Sequence, residues 1–440
     1  MPFRFRNLAR RVRLVLTPVL AAGCIAGTHP GFDQLTEAER LQLRDQFWYA
    51  LSSLDLERLE AAPLSGDERR FVDALSLMLA GDVAAAESSF RVIQGSASDS
   101  LLREGARLTL TASLQYRGAW DDVAAVPRNR DFEELPESGR ASVEIWAAVL
   151  RGVPQARIEF PPLPVAMRIE PSPFRTPMIT VRVNGIDKHF WIDTGATITI
   201  LTAAVAEECR VKLLAFDTLA VVSSTHQEVD VIPALVSRIE MGPITVSDLP
   251  AMIVRTEDLR LPRPGAQDSS FVQIDGILGA DVLRLIDLEI DSELGRVFMR
   301  DPARAQAPRA RNLFWFGYPV VRLMGENDTP VHFGLDTGAQ ETFVTPGLLR
   351  EQRKRRLSVR RMLISGVGGS TEDKLPIVPD LRLRLNRQPL NFSNLTIRSH
   401  RRLIFLEPDG VLGSDVNRVG RVRIDMTNGV FAITPHDRDR

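Results

Sequence analysis

The apolar positions of this chain keep two different periods. From about residue 30 to residue 155 they recur every third or fourth residue, the spacing of amphipathic helices; from residue 178 they alternate, the spacing of half-buried strands. In the first stretch Thr36 and Glu39 frame a capping box that opens a helix. Residues 71–79 carry the helical period, Ala80-Gly81-Asp82 interrupts it, and Ala84, Ala85, Ala86 and Phe90 resume it. A second such unit follows. Leu108, Leu110 and Leu114 lead to Arg117-Gly118-Ala119, then to Trp120 and the run 123–126, and the two turn glycines stand 37 residues apart. Pro161, Pro162, Pro164, Pro171, Pro173 and Pro177 then mark a semi-rigid linker over 156–177, the clearest boundary in the chain.

Beyond the linker the chain repeats itself. Ile179, Val181 and Val183 alternate with polar residues up to Asn184-Gly185, a hairpin turn, and the returning strand Phe190-Trp191-Ile192 runs into Asp193-Thr194-Gly195-Ala196. Val321-Arg322-Leu323 likewise leads to a turn near Gly325, and Phe333-Gly334-Leu335 runs into Asp336-Thr337-Gly338-Ala339. Each copy closes alike, with Asp275-Gly276-Ile277-Leu278-Gly279-Ala280-Asp281 in one and Asp409-Gly410-Val411-Leu412-Gly413-Ser414-Asp415 in the other. An Ile-Asp pair (Ile290-Asp291, Ile424-Asp425) and a turn glycine (Gly295, Gly429) complete both. The copies are offset by 143 residues at Asp-Thr-Gly and by 134 at the later motifs, so the length difference lies inside the repeat and not at its ends.

One Asp-Thr-Gly is weak evidence, since composition alone puts one in a chain this long roughly once in ten; two at matching positions, each followed by an apolar-apolar-Gly strand, are not chance. The arrangement resembles the retropepsin and pepsin aspartic proteases over about residues 175–435. The resemblance implies an all-β aspartic protease pseudodimer of two retropepsin-like lobes, 178–300 and 312–436, joined through 301–311. It implies a catalytic dyad of Asp193 and Asp336 acting on polypeptide substrates. It also implies that Thr194 and Thr337 cross-bond beneath the carboxylates, that Gly195 and Gly338 allow the tight turns, and that backbone N–H groups near Ala196 and Ala339 steady each carboxylate. The chemistry explains the need for both copies: two close carboxyl groups that share one proton supply a base for water and an acid for the scissile carbonyl. Activity is then expected at mildly acidic to neutral pH. Asp275, Asp281, Asp409 and Asp415 read as turn formers beside strands. Flap candidates are the glycine-rich tip with Gly366, Gly368 and Gly369 in the second lobe, and Ser224 and Thr225, which lack a neighbouring glycine, in the first. The helical region 30–155 is similar to a short tetratricopeptide array, which implies either a spacer or a groove for a protein partner.

The N-terminus adds an address. Arg4, Arg6, Arg10, Arg11 and Arg13 precede the apolar run 14–20 and Ala21-Ala22-Gly23-Cys24. This resembles a bacterial lipoprotein signal over 1–23, which implies lipidation of Cys24 and a membrane-tethered periplasmic protein, or a secreted one if Cys24 stays unmodified. With 55 Lys+Arg against 56 Asp+Glu, nothing favours nucleic acid, and 44% hydrophobic with 25% charged residues is globular composition. Two cysteines and six scattered histidines supply neither a disulfide scaffold nor a metal-ligand spacing, and no phosphate loop or nucleophile elbow occurs, so neither metal nor cofactor is called for. Cys209 reads as a core residue, and the basic run 350–361 as a solvated face. The leading reading is an aspartic endopeptidase of extracytoplasmic proteins. Its alternatives are a silent peptide-binding module and an envelope scaffold acting through the helices.

Overall fold

The computed structural model describes residues 37–127, 146–215, 219–222, 228–263, 270–305, 310–348, 358–399 and 404–436. The signal segment with Cys24, the capping Thr36, the flap candidates Ser224 and Thr225, and residues 350–357 of the basic run lie outside the described residues.

Among the described residues the helices come first: α1 (Glu37–Ser52), α2 (Leu56–Ala61), α3 (Gly66–Ala80), α4 (Val83–Ser96), α5 (Ser100–Tyr116) and α6 (Trp120–Ala125). Their ends follow from local chemistry. Ser65 and Glu68 form a full capping box on α3, Asp82 caps α4 and Asp99 caps α5. Gly81, at φ +92°, turns α3 back onto α4 in the left-handed conformation that costs a glycine least. The apolar stripes meet in a core where Phe71 and Phe90 pack edge to face with ring centroids 5.5 Å apart.

Among the described residues the β region forms a nine-stranded sheet from the first repeat and the preceding Arg157–Glu159, an eight-stranded sheet from the second, a five-stranded sheet drawing on both, and a two-stranded ribbon of Arg260–Pro262 and Phe271–Gln273. In the first repeat the strands Met178–Val183 and Ile186–Ile192 turn at Asn184 (φ +47°) and Gly185 (φ +93°), both in the left-handed region that a two-residue hairpin needs. The proline-rich stretch differs from a bare linker. Arg157–Glu159 pairs with Ile244–Val254, and Val165–Arg168 pairs with Arg296–Arg300. Both are short edge strands flanked by prolines, which is where residues lacking an N–H donor are tolerated.

The five-stranded sheet joins the repeats through Asp287–Asp291 and Gly420–Asp425, with Leu288 opposite Ile424, Glu289 opposite Arg423, and Ile290 opposite Val422. Residues 134 apart are equivalent in the two repeats, so this register is self-complementary, with Glu289 and Arg423 on the local axis. A symmetric pair would set like charges there; divergence has placed an acid opposite a base. Arg423 also bonds the buried carboxylates of Asp287 (2.7 Å) and Asp425 (3.3 Å).

The helices are docked on the β region. Trp315 Nε1 donates to the Ala112 carbonyl of α5 at 3.0 Å and its ring meets Tyr116 at 4.7 Å. Phe405 joins Phe71 of α3 to Phe316, each pair at 5.7 Å, and the Glu407 N–H bonds the Ser52 carbonyl at 2.9 Å. One apolar cluster therefore runs from the helices to Trp191, Ile277, Phe316 and Val320, beside the two Asp-Thr-Gly loops. Cys209 is buried in a separate core inside the β region.

Candidate active site

Each Asp-Thr-Gly loop leaves the end of a carrier strand, Ile186–Ile192 for Asp193 and Pro330–Leu335 for Asp336. The closing motif threads behind it. Gly276–Leu278 runs parallel to the first carrier and antiparallel to Ile200–Thr202, and Gly410–Leu412 does the same with the second carrier and Phe343–Val344. The threaded strands receive the loops: the Asp193 N–H bonds Leu278 O at 3.0 Å and the Asp336 N–H bonds Leu412 O at 2.9 Å. Apolar residues at every position of these strands are thus explained by burial on both faces.

A reciprocal set of hydrogen bonds ties the loops together. The Thr194 N–H donates to Thr337 Oγ1 at 3.0 Å and the Thr337 N–H to Thr194 Oγ1 at 3.1 Å. Each hydroxyl in turn donates across the junction at 2.8 Å, Thr194 to Leu335 O and Thr337 to Ile192 O. All four groups are buried, so the set fixes the separation of the loops rather than merely adding contacts. Asp193 Oδ1 accepts from the N–H groups of Gly195 (2.8 Å) and Ala196 (3.2 Å), and Asp336 Oδ1 from that of Ala339 (2.8 Å).

The carboxyl groups of Asp193 and Asp336 meet in hydrogen-bonding contact. Gly195 and Gly338 are what lets them approach. A Cβ on Gly195 would come within 2.5 Å of Asp336 Cγ, and one on Gly338 would overlap the Asp193 carboxyl. Burial and then the neighbouring Asp336 charge push Asp193 well above the usual carboxylate range, against the opposing pull of the Gly195 N–H. A proton is therefore retained at the pair under conditions that ionise ordinary aspartates.

The other repeated acids are structural. Asp275 and Asp409 accept the N–H groups of His189 (2.9 Å) and His332 (2.8 Å) midway along the carrier strands. Asp281 and Asp415 accept both N–H and Oγ1 of Thr199 and Thr342. Those hydroxyls accept in turn from Gly279 (3.2 Å) and Gly413 (3.0 Å). Burial raises the Asp281 carboxyl to about 6 and drives the imidazole of His332 down to about 3.

The glycine-rich tip closes the hairpin of Ser358–Gly366 and Gly369–Leu385, with Gly366 paired to Gly369 and Gly368 (φ +88°) at the turn. It reaches the other repeat, where the Gly368 N–H bonds the carbonyl of Asp258 at 3.1 Å.

Three residues of this neighbourhood were not singled out by sequence. Thr199 and Thr342 carried a usable signal, since both sit six residues after the repeated aspartate. Tyr318 carried none: its phenol hydrogen-bonds Asp336 from the bend 316–318, just before the strand Pro319–Met324 that pairs with the carrier.

Residues 179–282, which hold the first Asp-Thr-Gly loop and its threaded strand, match the family model described as aspartyl protease. The match supports an aspartyl protease of the retropepsin-like type. A search of curated proteins gives no match.

Proposed function

We propose that the protein is an aspartic endopeptidase whose single site is shared by the two repeats, each acting as a retropepsin-like lobe of a covalent pseudodimer. The observation that carries this reading is the reciprocal Thr194–Thr337 bonding that holds the Asp193 and Asp336 carboxyl groups face to face. Such a pair, carrying one proton, binds a water between its oxygens. The carboxylate takes a proton from the water as its oxygen bonds to the scissile carbonyl carbon, and the acid gives its proton to the carbonyl oxygen. Collapse of the resulting diol breaks the C–N bond; the leaving nitrogen takes the proton gained from water, and a diol hydroxyl returns one to the dyad. Both apparent pKa values belong to the pair.

The substrates are polypeptides of the cell envelope, by the lipoprotein-like signal and Cys24, which would tether the mature chain on the periplasmic side. The helical region acts chiefly as a brace, in keeping with its docking through Trp315 and Phe405, and as a secondary role offers a face to a protein partner. Hydrolysis of a peptide library from pH 4 to 8, with and without a statine-type transition-state analogue, tests the reading. Cleavage blocked stoichiometrically by the analogue is expected; a library left intact at every pH, with no analogue bound, would remove it.

A further inference from the structure

The two halves of the site are not equivalent, and two pairs of matched positions set the aromatic bulk beside each aspartate differently. By strand register Ile179 matches Val321 and Trp191 matches Gly334, which sets Phe174-Arg175-Thr176-Pro177 against Phe316-Gly317-Tyr318-Pro319. In the first repeat the ring comes from the carrier strand: Trp191 packs on Phe174 with centroids 5.1 Å apart, and the small Thr176 turns away to donate to Gly338 O at 3.0 Å. In the second the ring comes from the preceding hairpin. Gly334 leaves its place open, Tyr318 Cε1 lies 2.8 Å from where a Gly334 Cβ would be, and the phenol hydrogen-bonds Asp336. Aromatic bulk has thus moved from the carrier strand to the bend ahead of its neighbour, and only in the second repeat does it bring a hydrogen bond to the dyad.

We propose that Tyr318 is a positioning residue of the dyad, donating its O–H to Asp336 so that the charge resides there and the shared proton on Asp193. Asp336 is then the base toward water and Asp193 the acid toward the carbonyl, which makes the direction of peptide binding unequal. This rests on the reading of the pair as a hydrolytic dyad. The titratable groups facing the phenol are Asp336 and Asp193, and Asp336 faces Asp193, whose raised proton affinity agrees with the assignment. The phenol is held in aim by its own hairpin: the Phe316 N–H bonds Tyr318 O at 3.0 Å, and Phe316 is clamped by Phe405 beneath the helices.

The test is Tyr318→Phe in the full chain, which keeps the ring and removes the donor. A donor to the ionised form lowers the first apparent pKa of the pair, so its loss raises the acid limb of the kcat/KM profile by about one pH unit and leaves the basic limb in place. The same shift is read without turnover by titrating ¹³Cγ-labelled aspartate. Replacement of Tyr318 by 3-fluorotyrosine, a stronger donor, moves the limb the other way. Acid limb and titration both unmoved in the phenylalanine variant would reduce Tyr318 to packing. If the wild type cleaves nothing, the hydrolase reading fails, while the ¹³C titration still decides whether Tyr318 holds the charge on Asp336.

Discussion

Gly195 and Gly338 set how closely two like-charged groups are held. Neither has a positive φ, so their role is proximity and not turn geometry. Gly338→Ala would drive a methyl into the Asp193 carboxyl; cleavage is predicted to fall by about two orders of magnitude or more, since displacements near 1 Å cost that much. Thermal melting should change far less than activity. Asp193 itself is a stability liability. Its folded-state affinity for a proton is raised, so the stability it contributes is present below the unfolded value of 3.8 and is lost as pH rises through the folded value. Asp193→Asn removes that loss. Its melting temperature should exceed the wild type's at pH 7 and converge on it near pH 4; the reverse order would mean that the pair is not held protonated.

At the level of elements, the repeated strand-loop-strand unit was legible because its chemistry is local. Asp-Thr-Gly, the apolar-apolar-Gly strand and the Asn184-Gly185 turn each fix a short conformation that the residues announce. The proline-rich stretch reads as a semi-rigid linker because its two strands of three and four residues are too short to show alternation, and their pairing partners lie far along the chain. Tyr318 was illegible for a different reason: only the hairpin register brings it over Gly334, and no motif encodes that meeting. Thr342 stood within reach of the repeat and has a definite worth. Its hydroxyl bridges Asp415 at 2.7 Å and the Gly413 N–H at 3.0 Å, both next to the threaded strand. Thr342→Val leaves the Gly413 N–H without its acceptor and Asp415 with only the backbone N–H of residue 342, and should cost about 2 kcal/mol in a denaturant titration, with Thr342→Ser recovering most of it.

The whole molecule is held by a sheet to which both repeats contribute strands and by helices that pack beside both. Arg423 is the ion that makes the shared sheet tolerable, because Asp287 and Asp425 are buried beside it. Arg423→Met leaves Asp287 with only the more distant Arg300 and Asp425 with only Asn428, and is predicted to destabilise the fold by about 3 kcal/mol. Urea unfolding should report the loss, and the deficit should shrink as pH falls, because burial already raises the proton affinity of Asp425 and protonation removes its charge. Among the described residues no helix is long and apolar enough to cross a membrane. The helices instead cover Trp315, Phe316 and Phe405, and so support the hairpin that aims Tyr318. This brace was only partly readable. Caps and periodicity marked the helices, but their docking depends on aromatic residues more than two hundred positions away.

The central claim is that Asp193 and Asp336 make one site and not two. Peptide cleavage by the single variants Asp193→Asn and Asp336→Asn, measured beside the wild type from pH 4 to 8, tests it most directly. Each variant should retain the fold and the Thr194–Thr337 bonding, and each should lose cleavage to background. Cleavage surviving in either one would contradict a shared dyad.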